Sequence, residues 1–84
     1  MENEFILLLS PDGSSDIPEG KLVHLLFDNH VALLTTDTVH GLKKEPLIFY
    51  RVKASSRDLI AFITKVHKTF PSLHVQLFEY RSVS

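Results

Sequence analysis

The sequence contains no cysteine. That excludes a disulfide framework and a thiolate zinc site, and with them the usual staple of a small secreted domain. Glycine and proline are scarce, at three and four residues, and no segment is low in complexity, which argues against a disordered chain. A dominant charge is also missing. Nine Lys and Arg stand against ten Asp and Glu, a formal net charge of −1, so no overall electrostatic pull toward nucleic acid or a membrane surface is expected. Long apolar runs are absent too. The longest, Phe5 to Leu9, falls far short of the ~20 residues that span a bilayer. Glu2 and Glu4 stand where a secretory leader carries positive charge, and Pro11-Asp12-Gly13 follows. The expectation is a cytoplasmic protein with no membrane partner.

What is present is ordinary globular composition: 84 residues, 44% hydrophobic and 23% charged. A chain of this length reads as one domain, residues 1–84, burying roughly 60–65% of its unfolded surface. Its most legible stretch runs from Leu47 to Tyr80. Leu47 to Lys53 is rich in β-branched and aromatic residues and predicts a strand. Ser55 predicts a helix N-cap, with Asp58 favouring the helix N-terminus. Leu59, Phe62, Ile63, Val66 and Phe70 follow at helical spacing, Pro71-Ser72 stops the helix, and Leu73 to Arg81 reads as a strand.

The first half repeats this pattern coarsely. Phe5 to Leu9 is too short for a helix before its Pro-Asp-Gly turn, so it predicts a strand apolar on both faces. Asp16 predicts an N-cap completed by Glu19, with Pro18 in the first turn. Leu22, Leu25 and Leu26 form the buried stripe, widened by Val23 and Phe27. Asp28-Asn29-His30 ends this helix, with Asn29 expected in the left-handed position. Val31 to Thr36 predicts a strand. The polar stretch to Pro46 is expected to prolong the two strands beside it around a short loop near Gly41.

The order β-α-β-β-α-β, with right-handed crossovers, predicts a ferredoxin-like α+β sandwich. In that arrangement a four-stranded antiparallel sheet of order 4-1-3-2 carries both helices on one face. The most apolar strands, the first and third, occupy the centre. Phe5, Leu7 and Leu9 face one way and Ile6 and Leu8 the other; Leu47, Phe49 and Arg51 oppose Ile48, Tyr50 and Val52; Val75 and Leu77 oppose His74, Gln76, Phe78 and Tyr80. The helix-free face is therefore unusually apolar, and apolar patches mark interaction sites. Phe49, Phe78 and Tyr80 are expected to anchor a protein partner there, with Arg51 and His74 as its polar rim. The partner is a second copy of the chain or another protein that this one adapts or inhibits. A one-residue slip would present Ile48, Tyr50 and Val52 instead.

Other chemistries have weaker support. RNA-recognition domains of this topology stack bases on sheet aromatics, and Phe49, Phe78 and Tyr80 beside Arg51 and Lys53 resemble that set, which implies single-stranded nucleic acid. Small ferredoxin-like CRISPR-associated nucleases place an acidic residue at the end of the first strand, and Asp12 is similarly placed, beyond a proline; that likeness implies a metal-dependent nuclease. Acylphosphatases use the first loop with an arginine, whereas Ser10 to Asp16 holds two Asp and no Arg or Lys. Turn and cap chemistry accounts for this loop. His24, His30, His40, His67 and His74 show no metal-site spacing. There is no Gly-x-Ser-x-Gly and no pair of carboxylates in a credible cleft, so the expectation is a non-enzymatic protein with no cofactor. Finally, Asp16-Ile17-Pro18-Glu19-Gly20 resembles, with one residue inserted, the turn entering the first helix of ACT-type regulatory domains. Leu77 to Ser82 is similar to strand endings in the same domains. That resemblance implies a small-molecule sensor.

Overall fold

The computed structural model describes residues 2–11 and 16–80. Asp12, the residue of the nuclease reading, and Arg81 lie outside them. The described elements run β1 (Asn3–Pro11), α1 (Glu19–Asp28), β2 (Ala32–His40), β3 (Pro46–Ala54), α2 (Ser56–Thr69) and β4 (Leu73–Glu79). The four strands form one antiparallel sheet in the order β2-β3-β1-β4, so the fold is ferredoxin-like α+β. The two most apolar strands do lie at the centre, where both edges are hydrogen-bonded.

One face of the sheet is closed. Leu7 and Leu9 of β1, Ile48, Tyr50 and Val52 of β3, and Leu73 of β4 pack beneath Leu22 and Leu26 of α1 and Leu59, Phe62 and Val66 of α2. The register fixes this assignment, because residues opposite one another on an antiparallel ladder share a face. Leu7 pairs with Tyr50 on one side and Leu77 on the other; Leu9 pairs with Ile48 and Val75. The slipped register is therefore not adopted. It would move a fully buried row into the open.

The helix ends show how local chemistry gave way to context. Ser55 accepts a hydrogen bond from the Asp58 N–H at 3.1 Å and caps α2 as expected. The capping box of the first helix is not formed. Pro18 occupies the N-cap position without a side-chain hydrogen bond, and α1 begins three residues after Asp16. At its other end, Asn29 is not left-handed (φ −103°), and His30 is (φ 60°). The His30 N–H donates to Phe27 O at 3.2 Å and the Val31 N–H to Leu26 O at 2.9 Å. This is the hydrogen-bond pattern of a Schellman motif, with Val31 and Leu26 both buried. Asn29 instead turns its side-chain amide onto Leu25 O at 2.8 Å. Val23 and Phe27 do not widen the buried stripe of α1; both are exposed.

The β2–β3 connection is short, as anticipated. The Gly41 N–H donates to Glu45 O and the Lys44 N–H to Gly41 O, each at 2.9 Å, and Lys44 takes φ 62°. A Cβ on Gly41 would meet the Glu45 carboxylate, the far end of a flexible side chain that a substitution there would displace.

Candidate functional site

The face opposite the helices is the candidate site. Its geometry follows from the pairing register. One row runs Asp37, Phe49, Leu8, Gln76 across β2, β3, β1 and β4, and the next runs Thr35, Arg51, Ile6, Phe78. Leu8 and Ile6 thus form the middle of the face. Phe49 and Phe78 flank them diagonally, one on each side of β1. Val39 and Leu47 form a further apolar pair on the β2–β3 side. Phe78 is 48% exposed, and Ile6, Leu8, Leu47 and Phe49 are half-buried.

A polar group crosses one end of this patch. Arg51 donates from Nη2 to Glu4 Oε2 at 3.0 Å, and its guanidinium carbon lies 4.3 Å from the centroid of the Tyr80 ring. The hydrogen bond to Glu4 holds the Arg51 pKa above its already high ordinary value. Arg51 Nε is buried without a hydrogen-bond partner among the described residues. Tyr80 is tied back by its N–H, which donates to Glu4 O at 3.1 Å. Glu4, Arg51 and Tyr80 therefore act as one unit drawn from three strands or their ends.

All five residues expected at the partner surface, Phe49, Arg51, His74, Phe78 and Tyr80, belong to this face. Their roles within it differ from the expectation. Arg51 stands on central strand β3 between Thr35 and Ile6, inside the face and not on its rim. His74, opposite Ser10 on edge strand β4, does lie at the periphery. Ile6 and Leu8 stand at the centre of this face and Glu4 joins it through Arg51, neither of which is expected from the sequence. The signal for both was the strand pairing, which sets which residues are neighbours. Leu77 belongs to the helix side yet is 44% exposed, because the helices do not reach across edge strand β4 at that point.

Among the described residues there is no group of three or more His, Cys, Asp or Glu placed to hold a metal, and no helix is long and apolar enough to cross a membrane. Surface hollows lie elsewhere, along α1 and at the end of α2.

No protein-family model matches the chain, and no curated protein matches its sequence. Solved structures do match in shape. The chain is similar over its whole length to an unknown protein from Galdieria sulphuraria, at 12% identity and a TM-score of 0.77; it spans 48% of that protein. An uncharacterized protein from Thermotoga maritima is matched over 96% of this chain and all of its own, at 14% identity and a TM-score of 0.67. A formyltetrahydrofolate deformylase from Burkholderia mallei is matched over 90% of this chain and 28% of its own, at 14% identity and a TM-score of 0.61. At these identities the likeness shows the fold.

Proposed function

We propose that this protein works by binding and not by catalysis, as a small interaction or regulatory module whose open sheet face is covered by another protein chain. That chain is a second copy or a protein that this one adapts or inhibits. The observation that carries the reading is the two-row apolar patch of Ile6, Leu8, Phe49 and Phe78 on a face that neither described helix covers. Contiguous apolar surface rimmed by polar groups is characteristic of docking sites, and aromatic residues dominate their binding energy. Arg51 suits such a surface, because Glu4 and Tyr80 hold it in one orientation before a partner arrives. The same pairing weighs against a nucleic-acid reading, since the cation beside Ile6 already has a carboxylate partner.

The test joins two measurements on the full chain: its solution mass, and the proteins it retains from native lysate. Both are repeated with Phe78→Ala and Phe49→Ala. Truncating an interface anchor weakens association by about 1–2 kcal/mol or more, so either the mass or the retained set should change while circular dichroism stays that of the folded domain. If both variants match the wild type in mass and in retained proteins, the open face is not the binding surface. Salt-dependent retention of a single-stranded oligonucleotide would favour nucleic acid in its place.

A further inference from the structure

Away from its core side, helix α1 exposes two apolar side chains, Val23 and Phe27, with His24 between them 3.9 Å from Asp28. Leu22 and Leu26 close the core. Gly20, Val23, His24 and Phe27 recur at i, i+3, i+4 and i+7 and so form a second stripe along the helix. Phe27 is 81% exposed and Val23 43%. A hollow of about 350 Å³ lies over these four residues, and nothing stands within 4 Å of a Cβ built on Gly20. An exposed aromatic beside an exposed aliphatic on one side of a helix is a candidate contact surface.

We propose that this stripe is the contact between two copies of the chain, with α1 packed antiparallel against α1 of the second copy. The two-fold axis passes between Val23 and His24. Antiparallel symmetry then sets Phe27 of each copy over Gly20 of the other, so the largest side chain of the stripe meets its smallest, twice. The charges agree with this pairing. Lys21 and Asp28 lie on the same side of the stripe near its opposite ends, so Lys21 of one copy falls within reach of Asp28 of the other. Glu19 projects from the opposite side and meets no like charge. A two-fold contact of this kind supplies the hollow and its filler from one sequence, whereas an unrelated chain would have to match both. The apolar surface also continues past the helix. A second hollow of about 330 Å³ is lined by Phe27, His30, Val31 and Ala32. It extends the patch beyond the ~15 Å of the helix itself, toward the roughly 800 Å² per partner that a stable interface buries.

The stripe lies on the helix layer, on the other side of the sheet from the patch of Ile6, Leu8, Phe49 and Phe78. The contact therefore leaves the open face available, and it stands independently of the binding role given to that face.

Sedimentation of the full chain at micromolar concentration tests the contact. The wild type should run as a dimer. Phe27→Asp should raise the dissociation constant about 30-fold or more, as loss of a central anchor does. Gly20→Gln should also weaken the dimer by filling the hollow, and it should raise the melting temperature of the monomer, because glutamine is the better helix former and its Cβ meets nothing. Leu42→Asp, in the exposed β2–β3 turn and outside both surfaces, should leave the constant unchanged. A wild type that stays monomeric overturns the proposal. So does a dimer indifferent to Phe27→Asp and Gly20→Gln; if such a dimer is broken by Phe78→Asp, the self-contact is the open sheet face and not α1. Should Phe27→Asp fail to fold, Gly20→Gln decides the matter, because its monomer is expected to be the more stable one.

Discussion

The Tyr50 hydroxyl is buried among core side chains, and no described residue accepts or donates a hydrogen bond to it. Desolvation raises its pKa above the ordinary tyrosine value, and the nearby charge of Glu19 raises it further. A group whose pKa is raised by folding favours the native state below its unfolded pKa, and that advantage is lost as pH climbs through the folded value. For Tyr50 the loss sets in from about pH 10 upward, where tyrosine in the unfolded chain ionises and the buried ring resists doing so. Tyr50→Phe removes the unpaired hydroxyl and keeps the ring. It should raise stability at neutral pH by about 1 kcal/mol, and urea unfolding between neutral pH and pH 11 should show a shallower alkaline decline than the wild type. A variant less stable than the wild type at neutral pH would mean that the hydroxyl has a partner in solution.

At the scale of elements, the two helices end differently and should respond differently. The Ser55 cap of α2 is a single hydrogen bond to the Asp58 N–H; Ser55→Ala should cost about 1 kcal/mol. Helix α1 terminates on His30 at φ 60°, a conformation that strains any residue with a Cβ. His30→Gly keeps the Schellman hydrogen bonds and relieves that strain, so it should raise stability by up to about 1 kcal/mol, net of the entropy that glycine adds to the unfolded chain. Thermal unfolding of the two variants side by side checks both signs. The strands carry a different lesson. Edge strand β2 is exposed along most of its length, with a register irregularity between Leu33 and Thr35. An irregularity of this kind twists an edge and discourages uncontrolled strand pairing.

For the whole molecule, the two faces of one sheet have opposite energetic roles. Phe62 is fully buried between α2 and the sheet, whereas Phe78 stands 48% exposed on the other side. Phe62→Ala should destabilise the domain by about 3–5 kcal/mol, a large share of the total stability of so short a chain. Phe78→Ala should cost the isolated domain less than about 1 kcal/mol, since surface changes away from packed features rarely cost more. Denaturant midpoints for the pair give the comparison directly. Near-equal losses would mean that Phe78 is part of the folding core and that the open face is not a surface held in reserve for a partner.

The β-branched and aromatic run from Leu47 to Lys53, the Ser55 cap and the helical spacing from Leu59 to Phe70 determined the second half of the fold without help, because each signal is local. The order of elements did the rest, since few compact sheets accept β-α-β-β-α-β with right-handed crossovers. Three features were decided only by the tertiary structure. Asp16 and Glu19 had the right letters for a capping box, yet the chain enters α1 through Pro18, so local preference yielded to the path of the backbone. Arg51 was legible as a polar residue among aromatics, but its attachment to Glu4 and Tyr80 depends on strands far apart in sequence being brought side by side. Val23 and Phe27 looked like the margin of the buried stripe. Only the placement of α1 on the sheet shows that this margin faces outward, because the helical period fixes which residues share a face and the docking of the helix fixes which face is covered. The stretch from Leu47 to Tyr80 thus supplies the more legible half of a core that Leu7, Leu9, Leu22 and Leu26 complete, and packing determines which surfaces are left for other molecules.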